Sequence, residues 1–281
     1  MIDWITEPLS HGTALRALVE VMILGAVSGA VGCWVVLYGI SYSAESLAHG
    51  LFPGLVGAAL LGVPILLGGI AGIIAAALLI TLVSRVASDS ADTAIAVVVT
   101  GLFGLGVLMA LSPDSPPGVK DLLFGDLLGA TDSDLLIAGA MSATVIAVLW
   151  LFHDRLLAVG FDGGYGRSFG ISPGVVTALL LTLVAVTILV AVQGLGNLLV
   201  AAILVAPAAT ARLVTTRLRD MILVSVSVAL GAGIAGIYVS FHAKTAAGAS
   251  VAACLVVAYV TVAAISAVSG NRFLRRATLN P

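Results

Sequence analysis

The sequence predicts an all-α, polytopic membrane protein with about nine transmembrane helices. Three observations lead there. Of 281 residues, 60% are hydrophobic and only 9% are charged, against roughly 25% in ordinary soluble domains. Long runs lack Asp, Glu, Lys and Arg altogether, residues 21–44 and 46–84 among them. Breaks in those runs fall at glycine and proline, the residues that punctuate helices. A soluble fold of this size could not cover its surface with so few charges. The formal net charge of −2 leaves no basic surface for nucleic acid, so the expected surroundings are a lipid bilayer. The whole chain, 1–281, reads as a single transmembrane domain.

A spanning helix needs about 20 mostly apolar residues. The first span is expected near 14–40. The next apolar stretch is too long for one span and is interrupted at Pro53-Gly54 and at Gly62-Val63-Pro64, which gives two helices, about 44–61 and 65–84. A fourth lies at 93–113 and a shorter fifth at 135–152. The run 168–211 again exceeds one span, and Gln193-Gly194-Leu195-Gly196 splits it into a sixth and a seventh. Residues 221–243 and 245–269 supply the eighth and ninth. A segment 112–134 that dipped back into the membrane would change this count. The N-terminus, with Asp3 and Glu7 and no Lys or Arg before residue 13, does not read as a cleavable signal.

Cytoplasmic loops retain Lys and Arg. With the N-terminus outside and the C-terminus inside, the inner segments hold nine of the twelve, namely Arg85, Arg155, Arg167, Arg212, Arg217, Arg219, Arg272, Arg275 and Arg276. Only Arg16, Lys120 and Lys244 then lie outside. The pairs Gly25/Gly29 and Gly68/Gly72 have the GxxxG spacing that lets helix backbones approach closely, either within the chain or in a dimer. Cys33 and Cys254 sit inside apolar runs and read as buried small side chains.

Glu45 and His49 stand at i and i+4, so a helix projects both from one face. An acid within a span costs roughly 2.5–3.5 kcal/mol on insertion scales unless it finds a partner or water. Carboxylate oxygen and imidazole nitrogen together suit zinc, manganese or iron. The same spacing also fits an interfacial Glu45 capping a helix end, with His49 a hydrogen-bonded packing residue. His242, beside Lys244, is a candidate for the metal entry path and equally for a plain interfacial histidine. His11 and His153 read as solvated. Asp126 fits either a partner contact or a helix cap.

The connection at about 153–172 carries Phe161, Asp162, Tyr165, Arg167, Phe169 and Gly170 among glycines. Aromatic anchors with a few charges suit a docking surface, and a plain solvated loop suits the composition as well. Gly170 is placed to end a short helix before Pro173 begins the next span. There is no GxxxxGK[ST], because neither Lys120 nor Lys244 follows a glycine, so ATP cannot bind through a P-loop. No HExxH and no Gly-x-Ser-x-Gly nucleophile elbow are read, and no enzyme active site is expected.

Three segments carry a resemblance. Glu45 to Gly54 resembles an Asp-x-x-Ser-His-x-x-x-Pro-Gly element, with His49, Pro53 and Gly54 in place, Glu45 for the Asp and Ala48 for the Ser. Asp162 to Gly170 looks like a cytoplasmic coupling segment. The run from Gly196 to Leu213, ending in Pro-Ala-Ala-Thr-Ala-Arg, is similar to a family's most recognisable helix. These are the marks of the ABC-3 metal permeases, the membrane subunits of bacterial zinc and manganese importers. The resemblance implies a homodimeric pore, two copies of a separate cytosolic ATPase, and an extracytoplasmic metal-binding protein. It also implies that Glu45 and His49 face the translocation path, and that Asp162, Tyr165, Arg167, Phe169 and Gly170 belong to the ATPase coupling region. Two other functions remain open on the sequence: a proton-coupled secondary transporter using Glu45, or an importer of a metal chelate or small cofactor.

The charge asymmetry has a direct test. Single cysteines replacing Gly163 and Arg217 should be shielded from an impermeant thiol reagent applied to intact cells, and one replacing Asp114 should be labelled. External labelling at position 163 would reverse the expected orientation.

Overall fold

The structure, a computed structural model, describes residues 12–86, 91–113, 115–116, 118–119, 121–125, 127–168 and 170–268. These residues form helices and connections with no strand among them. The helices are α1 (Gly12–Leu37), α2 (Ser41–Leu61), α3 (Ile65–Val86), α4 (Ala91–Ala110), α5 (Asp121–Phe124), α6 (Asp132–Leu151), α7 (His153–Phe161), α8 (Gly163–Ser168), α9 (Pro173–Leu195), α10 (Asn197–Val214), α11 (Leu218–Ala243) and α12 (Ala247–Val268). Among the described residues, α1, α2, α6, α9, α10, α11 and α12 are long and apolar enough to cross a bilayer, seven in all. The stretches Ile65–Ile80 and Ile95–Ala110 of α3 and α4 are apolar but shorter.

Helix α1 is the axis of the bundle. Its spanning window is 72% buried, against 11% for α12, and it packs against α6, α9, α10 and α11. Leu24, Val31, Trp34 and Val35 give it a continuous core face. Helices α2, α3 and α4 form one group, α10, α11 and α12 another, and α9 touches both α1 and α2. Apolar side chains such as Leu78, Val97, Leu108, Val257 and Val268 remain exposed, the pattern of a bundle whose outer face meets hydrocarbon rather than water.

Small residues set how closely these helices approach. At Gly54 a Cβ would collide with Gly68 and Gly72 of α3, and at Gly32 it would collide with the Leu204 carbonyl of α10. Gly29 faces Ser225, whose hydroxyl donates to the Gly29 carbonyl across 2.8 Å. Both GxxxG pairs are therefore occupied by helix packing inside the chain. Pro53 does not end α2. It removes one backbone donor, the partner of the His49 carbonyl, and the helix continues to Gly62, whose left-handed conformation (φ 67°) closes it.

Two connections differ from plain loops. Residues 119–130 fold back onto the bundle: Val119, Leu122, Leu123 and Leu127 are buried, and α5 packs against α9 and α10. The α9–α10 turn is itself buried at Gly194, Leu195 and Gly196. A Cβ at Gly194 would meet the carboxylate of Glu20, eight residues into α1, or about 12 Å from its start at 1.5 Å per residue. Irregular backbone at such a place is tolerated because protein surrounds it.

Close packing of this kind resists added volume. Gly32→Val should lower the stability of the purified protein by about 1–3 kcal/mol, seen as a fall in melting temperature. Gly139→Ala, where a Cβ meets nothing within 4 Å, should leave it unchanged.

Candidate functional site

Three residues, Tyr38 to Ile40, join α1 to α2, and Gly39 takes a positive φ of 67° to make the reversal. Glu45 and His49 follow on the second and third turns of α2. The i,i+4 spacing brings them together as expected, with His49 Nε2 3.8 Å from Glu45 Oε1. Their side chains are 22% and 53% exposed for His49 and Glu45 respectively. Both line a groove of about 650 Å³ whose other wall is α10, through Ala201, Ala202, Val205 and Ala206, with Tyr259 of α12 at its edge. Small side chains on α10 leave the groove open beside the two donors.

Two further contacts hold His49. Phe103 of α4 lies against its ring, with centroids 4.7 Å apart at 51°, and Phe52 in turn packs on Phe103 at 5.7 Å. At its far edge, Asn197 Nδ2 lies 3.3 Å from His49 Nδ1. Asn197 is fully buried and is the first residue of α10, placed by Gly196, whose φ of 75° and ψ of 155° suit glycine alone. The turn that presents it is wedged between Glu20 and Gly125, where added Cβ atoms would meet the carboxylate of Glu20 and the backbone of Leu195.

Asn197 and Glu20 are residues that the sequence reading passed over. The signal was available: a carboxylate and an amide within long apolar runs are costly to bury and call for a structural or functional partner. Glu20 is 4% exposed. Asn197 lay in plain view inside the recognised Gly196-to-Leu213 helix.

A bridging zinc ion bonds oxygen and nitrogen donors at about 2.0–2.2 Å. The 3.8 Å gap between Glu45 and His49 is slightly wider than such a chelate, within reach of a small side-chain rotation. Among the described residues no group of three or more His, Cys, Asp or Glu side chains gathers to hold a metal. The pair therefore offers two ligands rather than a closed cage.

The remaining candidates lie elsewhere. His242 is on the last turn of α11, its ring 5.4 Å from that of Phe241, and it does not line the Glu45–His49 groove. His153 is not simply solvated: it stacks edge-on against buried Trp34 at 5.4 Å, because α7 folds under the end of α1. Tyr38 reinforces that contact, its hydroxyl donating to the Leu156 carbonyl at 2.7 Å. His11 and Asp126 lie outside the described residues.

In the 153–172 connection, Asp162 Oδ1 accepts from the Gly164 amide at 2.7 Å and so starts α8. Gly170, at φ 72°, ends it, with its amide donating to the Arg167 carbonyl and Ile171 to Gly166, before Pro173 opens α9. Phe161, Asp162 and Arg167 are exposed. Tyr165 is part of α8, and Phe169 lies outside the described residues. One sequence expectation needs correction here. Gly166-Arg167-Ser168-Phe169-Gly170 does spell Gly-x-Ser-x-Gly, but Gly166 to Ser168 lie on α8, with no preceding strand among the described residues. The Ser168 hydroxyl donates to Gly164 at 3.4 Å, so the strand–turn–helix geometry of a nucleophile elbow is absent.

The described residues thus form a multi-helix bundle of membrane-spanning length with an oxygen–nitrogen donor pair in a side groove. The ABC 3 transport family model matches residues 10–266, and the chain belongs to that family. It is 29% identical over 261 residues to the manganese import system permease protein ScaB of Streptococcus gordonii, covering 93% of each chain. It is 30% identical over 248 residues to the chelated iron transport system membrane protein YfeC of Yersinia pestis, covering 88% of this chain and 84% of that one. Among solved structures, it superposes on PsaBC from Streptococcus pneumoniae in complex with Fab with a TM-score of 0.86 at 28% identity, over 93% of this chain and 95% of that one.

Proposed function

We propose that this chain is the permease subunit of an ATP-driven importer that passes a divalent transition metal into the cytoplasm, with Glu45 and His49 as its transient ligands. The observation that carries this reading is their convergence, 3.8 Å apart, on an open groove inside a family of transport permeases. Manganese and iron are favoured as cargo by the names of the relatives, and an oxygen–nitrogen pair accepts either, or zinc. Two ligands per chain suit a site that must let its ion go. In a homodimeric pore, a second copy facing the same groove would bring the donors to four.

The nine-to-three distribution of Arg and Lys supports an outside N-terminus and an inside C-terminus, with α3 and α4 completing nine spans. On that orientation α7 and α8 lie on the cytoplasmic side. Their exposed Phe161, Asp162 and Arg167 are the contact for two cytosolic ATPase subunits, and the ion arrives from an extracytoplasmic binding protein. Membership of an ABC transport family weighs against the proton-coupled alternative.

His49→Ala should lower metal uptake by about tenfold or more at normal membrane abundance, while Glu45→Asp, which keeps the carboxylate, should be tolerated. Wild-type uptake in both His49→Ala and Glu45→Gln proteins would remove the pair from the mechanism. Replacing Tyr165 and Phe169 with Ala should reduce ATPase co-purification and uptake together. Full transport in that double variant, or uptake in vesicles without ATP, would count against the coupling assignment.

A further inference from the structure

We infer that Asn197 is a positioning residue that selects the metal-accepting form of His49; this rests on the Glu45–His49 reading above. The Asn197 amide lies 3.3 Å from His49 Nδ1; with its nitrogen on that side it donates, and a neutral ring then carries its proton on Nε2. In that form the proton sits on the nitrogen 3.8 Å from Glu45 Oε1 and occupies the lone pair a metal would need. Metal-ligating histidines almost always donate their second ring N–H to an acceptor, which fixes tautomer and ring orientation.

The acceptor is already present. Asn197 Oδ1 is buried and has no hydrogen-bond partner among the described residues. Turning the amide about its terminal bond places Oδ1 on Nδ1, where it accepts an Nδ1–H. The ring proton leaves Nε2 and Nδ1 takes one up, so the exchange carries no net proton. Nε2 is then free to ligate. Helix capping does not occupy this side chain: Gly196, not Asn197, is the cap of α10, and no side-chain capping bond is made there. Phe103 packs against the ring, with centroids 4.7 Å apart at 51°, and narrows the ring's freedom to tilt. The buried turn that ends in Gly196 thus acts on the metal through one amide.

The test uses the complete transporter in membrane vesicles, with Mn²⁺ alone as the probe and rates normalised to the permease present. Asn197→Leu, which keeps volume and removes the acceptor, should raise the apparent KM about 10–100-fold, with the maximal rate within about twofold of wild type. Asn197→Asp should restore a KM near that of wild type, since its carboxylate also accepts from Nδ1–H. Should the leucine variant not reach the membrane, Asn197→Ala carries the same expectation. An unchanged KM without the acceptor, or an aspartate variant as impaired as leucine, overturns the inference. A parallel His49→Ala measurement separates the two levels. Lost uptake there with a normal Asn197→Leu KM defeats this inference alone, and normal uptake in His49→Ala defeats the metal reading beneath it.

Discussion

A turn of irregular backbone cannot sit within an apolar bundle unless protein surrounds it, and the α9–α10 turn is such a turn. Gly194, Leu195 and Gly196 are buried, with Glu20 on one side and Gly125 on the other. In hydrocarbon, each unsatisfied backbone group costs several kcal/mol. The folded-back 119–130 segment covers this turn and makes its position tenable. Because the turn is fixed, α10 begins at the level of His49, and Asn197 reaches the imidazole. The α10 wall of the groove and the contact of Asn197 with His49 both follow from where that one reversal is placed.

Much of the fold was legible because hydropathy reports directly on spans. The chain breaks at Gly62–Pro64 and at Gly196 fell where glycine and proline suggested. Pro53 was harder to read: in water a proline usually ends a helix, whereas here Phe52 and Pro53 pack against Gly106 of α4 and tertiary contact holds the helix together. The GxxxG pairs were legible as close-contact sites but not as to partner, since the same spacing serves contacts within a chain and between chains.

The site was only half legible. Glu45 and His49 share a helix, so their spacing predicts their meeting. Asn197 lies 148 residues from His49, and no local periodicity links them. His153 looked solvated because its neighbours Asp154 and Arg155 are charged, yet α7 is amphipathic and its inner face turns toward Trp34. Residues joined by topology rather than by helical repeat escape a reading made one segment at a time.

Glu45 is 53% exposed on the isolated chain, and α12 beside it is 11% buried. Facing acyl chains, such a carboxylate carries a penalty of roughly 2.5–3.5 kcal/mol. In the dimer proposed above, a second copy over that face would bind the folded chain and not the unfolded one. Its free energy of association is therefore added to the folding free energy, in proportion to the logarithm of its concentration. The apparent stability of such a dimer would then be a matter of mass action: scarce chains would be less protected than abundant ones, through one acidic side chain.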